Sequence, residues 1–393
     1  MTHVIQTETL VGEGVLTQAQ ADIIKSRSRD LMTGLIINAL LCGGIIAAAM
    51  GFVAWLADPF VVAISGAAFL GLGVFILRGR DMLHMFGQAS ALIGAGMLGV
   101  GGAIEAFNQL PDEDAGLLLT GAGGLATLVF GYLFFKTRQS GRFVMGAIML
   151  LAAGIHLFGF GTITSLAEDP SMIFLNIYAT ILVFGLGMFV NVRFLTALAI
   201  IPFAQILETS TTYWHAAYVF YSPEPTLTIL QMTALMLVCL ILAPHLNERY
   251  RRHTGQIAIM AFIVANLSFL VGSLFGDHVG QTLWGPIRND MNWSDWHDAI
   301  DVWQANAFEI TEHVYSIIWA IGLIGIAIFA ALTTRRGFFN AALTFGAIHA
   351  YTQMFESFYN QPLAYVIGGL AAIPLAWSIW RLNGWFSSRA QQG

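Results

Sequence analysis

The segment YTQMFESFYN, residues 351–360, sets Gln353 and Glu356 three residues apart at the end of a run that is otherwise apolar from Phe338 onward. On a helix His349, Gln353 and Glu356 fall at i, i+4 and i+7, on one stripe. Gln205, Glu208 and Thr212 repeat the arrangement, and Glu309, Glu312 and His313 share a face at the start of another apolar run. Glu105, His156 and His215 are further ionisable residues inside or at the ends of apolar segments. A charge at mid-bilayer costs at least ~2.5 kcal/mol on insertion scales, so such groups face a cavity or one another. Carboxylates beside amides and imidazoles in that setting can exchange a proton, hold a cation or serve as general acids and bases. The three stripes can converge on one polar cup.

A plainer reading stands beside each. Glu208 and Glu356 can be protonated carboxyls bonded to glutamines across helices, worth about 0.6 kcal/mol on average. Glu309, Glu312 and His313 can be solvated residues at the headgroups, and His215 with Tyr213 and Trp214 can belong to an aromatic belt. Metal binding is not expected. Glu309 and His313 could share an ion completed by His349 and Glu356, but neither Glu-x-x-His nor His-Glu-x-x-His occurs. Among His156, His215, His313 and His349 no paired haem-ligand spacing is recognisable, and the sequence names no other cofactor. There is no phosphate-binding loop or dinucleotide fingerprint, and TSTTYWH at 209–215 lacks a nucleophile-elbow context.

The elements that position these residues follow from composition. Of 393 residues 57% are hydrophobic and 10% charged, with a mean hydropathy of +0.71. A soluble domain carries about 25% charged residues, so this surface cannot face water everywhere. Segments 31–56, 59–77, 82–107, 115–135, 143–163, 172–190, 194–217, 227–246, 257–276, 308–332, 338–359 and 363–382 are each long enough to cross a hydrocarbon core of about 30 Å. Lipid cannot satisfy open backbone groups and no segment alternates like a barrel strand, which leaves helices. The expectation is an all-α, polytopic transmembrane bundle of about 12 spans, with short connections forcing antiparallel hairpins.

Basic residues set the orientation. They cluster before the first span and after every second one, whereas the opposite connections are acidic, and of 17 Lys and Arg only Arg288 falls on the acidic side. Both termini are expected in the cytoplasm. Residues 1–30 carry no signal-peptide pattern and read as a small cytoplasmic element: a turn at Gly12–Gly14, an N-cap at Thr17, then a short helix. Residues 31–382 form the membrane domain and 383–393 a tail. The long external connection 277–307 contains SDWHDAIDVWQANAF, with Trp296, Ile300, Trp303 and Ala307 on one helical face and Asp295, Asp298 and Asp301 around the other. This reads as an interfacial helix, or as an acidic cap that closes the bundle. Short repeats link the spans: IEAFNQLP (104–111) with FESFYNQP (355–362), and AQILETS (204–210) with TQMFESF (352–358).

The N-terminal pattern G-V-L-T-x-x-Q-A at Gly14–Ala21, followed by Gly-rich hairpins, resembles a family of bacterial polytopic membrane proteins that begin with a short cytoplasmic helix. The likeness covers about residues 10–135. It implies a bacterial inner membrane and carries no activity with it.

The leading functional expectation is a proton- or cation-coupled secondary transporter or permease with an outward-facing polar cup. Glu208 and Glu356 would couple, while Gln205, Gln353 and His349 would hold a small-molecule or ion substrate. One alternative is a membrane-embedded enzyme acting on a lipid-linked or periplasmic substrate through Glu312, His313 and His349. Another is a non-catalytic subunit whose acidic external loop docks a protein partner. The lipid bilayer is the expected surrounding in every case, and a formal charge of −6 argues against nucleic acid.

Overall fold

An apolar chain of this kind must satisfy its backbone internally, and it does so almost wholly in helices. The computed structural model describes residues 7–12, 14–24, 51, 58–77, 84–137, 139–167, 172–207, 224–286, 291–333, 335–358, 361–363, 366 and 369–370. The chain divides into two compact units, residues 1–168 and 169–393.

The first unit begins with two short helices, α1 (Thr7–Gly12) and α2 (18–24). Thr17 caps α2 as expected: its Oγ1 accepts from the Gln20 N–H at 3.3 Å, and Gln20 Oε1 accepts from the Thr17 N–H at 3.0 Å. That reciprocal pair satisfies two of the donors a helix start leaves open. Four long helices follow: α3 (Pro59–Leu77), α4 (His84–Gln109), α5 (Asp112–Lys136) and α6 (Gln139–Ser165). They form two hairpins, α3 with α4 and α5 with α6.

Small residues explain how closely each hairpin packs. Gly66 and Gly73 of α3, Gly87, Gly94 and Gly101 of α4, and Gly116 and Gly123 of α5 recur every seven residues. That period keeps them on the seam of a gently supercoiled pair. A methyl group added at Gly94 would lie 2.2 Å from Leu70 N, and one at Gly123 would lie 2.5 Å from His156 N. The helices touch backbone to backbone, the contact that drives helix association where lipid is as apolar as leucine.

The second unit contains α7 (Met172–Val190), α8 (Arg193–Leu198), α9 (Ile200–Ala204), α10 (Pro225–Leu242), α11 (Glu248–Phe275), β1 (Asp277–His278), α12 (Gln281–Trp284), α13 (Trp293–Gln304), β2 (Glu309–Ile310), α14 (Glu312–Leu332) and α15 (Arg336–Phe358). α11 is central and touches α8, α10, α14 and α15. Its Ala258 and Ala261 are wholly buried, in a core with Met232 of α10, Trp319 of α14 and Phe345 of α15. The strands β1 and β2 pair antiparallel, with Asp277 opposite Ile310 and His278 opposite Glu309.

Eight helices among the described residues are long and apolar enough to cross a membrane. Their outer faces are apolar as well: Leu128 on α5 and Phe174 on α7 are each 74% exposed. Such faces fit a lipid bilayer and an integral membrane protein. α15 is helical where a span is expected at 338–359, while most of 31–56 and 363–382 lies outside the described residues.

Three expected spans differ. The described part of 194–217 is broken at Ala199 into α8 and α9 and ends in a turn at 205–207. Pro202 has no N–H to give the Leu198 carbonyl four residues back, and its ring crowds that carbonyl. α11 starts nine residues before its expected position because Asn247 caps it, its side chain accepting from Tyr250 N. α14 starts at Glu312 rather than 308 because Glu309 and Ile310 are taken up in the ladder. The N-terminal α1 was not foreseen in the sequence.

Candidate functional site

The arginine-bearing N-terminus of α11 marks a basic end of the second unit, and Asp277, just past its C-terminus, marks an acidic end. α11 stops at Gly276, whose φ of +68° and ψ of −163° suit glycine alone. A side chain there would meet the Ile310 carbonyl at 2.9 Å. The reversal delivers Asp277 back toward the start of α10, where Pro225 occupies the first helical position and Glu224 precedes it.

Both carboxylates are buried, Glu224 at 2% exposure and Asp277 at 4%. Glu224 Oε1 accepts from Gly280 N at 2.7 Å, and Oε2 accepts from Thr282 N at 2.8 Å. Its two oxygens clasp the turn that opens α12, where Gly280 has a φ of +94°. Asp277 Oδ2 collects three donors: Thr226 N at 2.9 Å, the Thr226 hydroxyl, and Tyr315 OH at 3.0 Å. Its Oδ1 is buried and has no hydrogen-bond partner among the described residues. A carboxylate ordinarily accepts on both oxygens. Among the described residues neither acid forms an ion pair, so neutral donors alone surround two buried acids.

Two further polar stations lie along α11. In its interior, Asn266 Oδ1 accepts from Trp319 Nε1 at 2.7 Å, and Asn266 Nδ2 donates to the Phe262 carbonyl at 2.7 Å. Asn266 and Trp319 help line a cavity of about 190 Å³ between α10, α11 and α14. At the basic end His253 is fully buried. Its Nε2 lies 3.0 Å from Asn191 Oδ1, an acceptor only, so Nε2 carries a proton; Nδ1 lies 2.7 Å from Thr196 Oγ1. Arg249 donates to the Met188 and Phe189 carbonyls at the end of α7. This end is therefore tied across α7, α8 and α11.

The broken helix α8–α9 is held by amides from its neighbours. Asn176 of α7 donates to the Gln205 carbonyl at 3.1 Å, and Gln231 of α10 donates to the Phe203 carbonyl at 2.7 Å. Carbonyls released by a helix end within an apolar bundle need such partners.

The residues expected from sequence to act fall as follows. Gln205 is half-buried, with its backbone in the C-cap of α9. Glu208 and His215 lie outside the described residues. Glu309 is exposed on β2. Glu312 and His313 adjoin at the start of α14, 3.7 Å apart, and the His313 side chain is 81% exposed. His349 of α15 is half-buried, its ring edge-on to Trp319 with centroids 4.7 Å apart. Its Nδ1 has no hydrogen-bond partner among the described residues. Gln353 is half-buried one turn further along; Glu356 is helical, and its side chain lies outside the described residues. In the first unit Glu105 accepts from Gln109 at 3.0 Å, and His156 Nδ1 donates to the Thr120 carbonyl at 2.7 Å. Among the described residues no group of three or more His, Cys, Asp or Glu is placed to hold a metal.

Sequence reasoning treated Glu224 and Asp277 as acidic loop residues and missed Thr226, Tyr315, Asn266 and His253. His253 was missed because α11 begins before the expected span at 257, which brings it inside the helix. The available signals were Glu-Pro-Thr at a helix start and Gly-Asp directly after an apolar run.

No protein-family model matches the chain, and comparisons with curated proteins and with solved structures found no match.

Proposed function

We propose that this chain is a secondary transporter or permease coupled to protons or another small cation, with coupling centred in the second unit. The supporting observation is Asp277: an acid 4% exposed, with three donors on one oxygen and no partner among the described residues on the other. A proton or a small cation at Oδ1 would complete its coordination. Asn266 and His253 supply polar stations further along α11, and the amide-held break in α8–α9 belongs to the kind of discontinuous helix that transporters use beside their sites. Glu208, Glu356, Gln205, Gln353 and His349 remain proposed contributors to coupling and substrate binding. A bacterial inner membrane, with both termini in the cytoplasm, is the proposed setting.

The test needs no known substrate. Infrared difference spectra of the purified protein, recorded across roughly pH 5–9 and between sodium-free and sodium-loaded buffer, should show carboxyl bands. Asp277→Asn should remove one of them, and Glu208→Gln and Glu356→Gln should remove any that belong to those residues. In liposomes Asp277→Asn should also abolish cation-driven change of internal pH. Spectra identical in wild type and all three variants would rule out the coupling role.

The assembly-subunit reading draws on one observation. Asp295, Asp298 and Asp301 of α13 are all exposed, while Ile300 on the opposite face is buried. A silent liposome assay together with intact folding would favour it.

A further inference from the structure

The hairpins of the first unit are close-packed internally, yet a cavity of about 340 Å³ lies between them, bounded by α3, α4, α5 and α6. Its walls are Leu, Ile, Phe, Ala and Gly only. A polar ligand would find no side-chain donor or acceptor there, which excludes sugars, nucleotides and ions. A volume of this size is close to the lower range of ligand pockets, and half of its lining residues are Ala or Gly, which have no rotamer to turn into it. Three wall residues, Leu98, Leu118 and Ala122, are exposed, so the cavity is open to the apolar surroundings of the helices rather than sealed. What stands against that opening in a membrane is hydrocarbon.

We infer that this cavity takes an acyl chain of a bilayer phospholipid, lying between the two hairpins. The occupant is an acyl chain because the mouth is continuous with the bilayer-facing surface, where such chains are the bulk phase. Gly102 and Gly123 are among the lining residues of the slot. Gly102 has no atom within 4 Å of where a Cβ would stand, so the space beside it is open to a ligand. The seams on either side cannot tighten further, since Gly94 and Gly123 already meet backbone. A chain in the slot supplies the contacts that the hairpins cannot give each other.

The test is photocrosslinking in nanodiscs with a phospholipid bearing a diazirine midway along one acyl chain, with adducts mapped by mass spectrometry. In wild type, adducts should concentrate on α4 and α5 at the cavity wall above the level on the outward face around Leu128. Gly102→Leu, which fills the slot without a backbone clash, should lower wall adducts several-fold. Gly96→Leu, on the same helix, equally unobstructed and off the cavity, should leave them unchanged. Ala122→Leu narrows the mouth and should act like Gly102→Leu. Adducts in wild type no denser at the wall than around Leu128 would overturn the proposal even if a variant failed to fold. So would equal wall labelling in Gly102→Leu and Gly96→Leu.

Discussion

Glu224 illustrates how little a residue's chemistry depends on its neighbours in sequence. Beside Pro225 it reads as an acid in an external connection, but the backbone donors that bury it belong to Gly280 and Thr282, more than fifty residues further on. Nothing local announces that contact, which is why the clasp was not legible. Tyr315 was hidden for the same reason, its partner Asp277 being 38 positions away. His349 was legible, because a histidine within an apolar periodic run stands out by type alone. Glu224→Ala would leave the Gly280 and Thr282 N–H groups without their acceptors and should lower stability by about 2–6 kcal/mol, since each unsatisfied donor costs about 1–3 kcal/mol. Glu224→Gln keeps one acceptor and should lose about half as much. Thermal unfolding in detergent measures both, and limited proteolysis between residues 285 and 308 should quicken in the alanine variant. A wild-type melting temperature and cleavage rate in Glu224→Ala would show that the carboxylate clasps nothing of consequence.

At the scale of elements, most helices were readable because hydropathy sums over some twenty residues and tolerates local error. Their ends were less so. α11 begins early on the strength of one Asn cap, and the segment after Arg193 breaks because a single proline lacks a donor. The apolar face of α13 was legible, since Trp296, Ile300 and Trp303 against three aspartates fix a face wherever the helix docks; Ile300 is buried and the aspartates are exposed, but the helix ends at Gln304 and leaves Ala307 outside it. The glycine seams give a paired test. Gly94→Ala would push a methyl against Leu70 backbone and should cost about 1–3 kcal/mol, the usual range for overpacking. Gly96→Ala, where no atom lies within 4 Å of the new methyl, should be neutral or stabilise by about 0.5–1 kcal/mol. Chemical unfolding in mixed micelles followed by circular dichroism separates the two, and equal effects would mean that α3 and α4 do not meet as closely as described.

For the whole molecule, the sequence conveys membrane residence and the alternation of charged connections, and the division into two units shows in two residue types: 26 of 41 Gly lie in residues 1–168 and nine of ten Trp in 169–393. Both halves are about equally apolar, so hydropathy alone does not separate them. The charge asymmetry makes a direct prediction. Cysteines replacing Glu113 and Asp290 should react with an impermeant thiol reagent in intact cells, and one replacing Arg138 should not. Labelling at Arg138 would reverse the proposed orientation, and with it the side from which Asp277 is reached.

The pairing partners of α11 have a bearing on synthesis. Each hairpin of the first unit can zip together as soon as its second helix leaves the ribosome, because its contacts join neighbours in the chain. α11 can pair at once with α10, but part of its core is made later. Its core includes Phe345, and the indole that bonds Asn266 sits 53 residues downstream. His253 finds Asn191 and Thr196 already made, but while the later residues are still being translated Asn266 must wait in the membrane only partly matched. That interval is when the nascent chain is most open to quality-control proteases and to unintended pairing, and it closes only when α14 and α15 arrive.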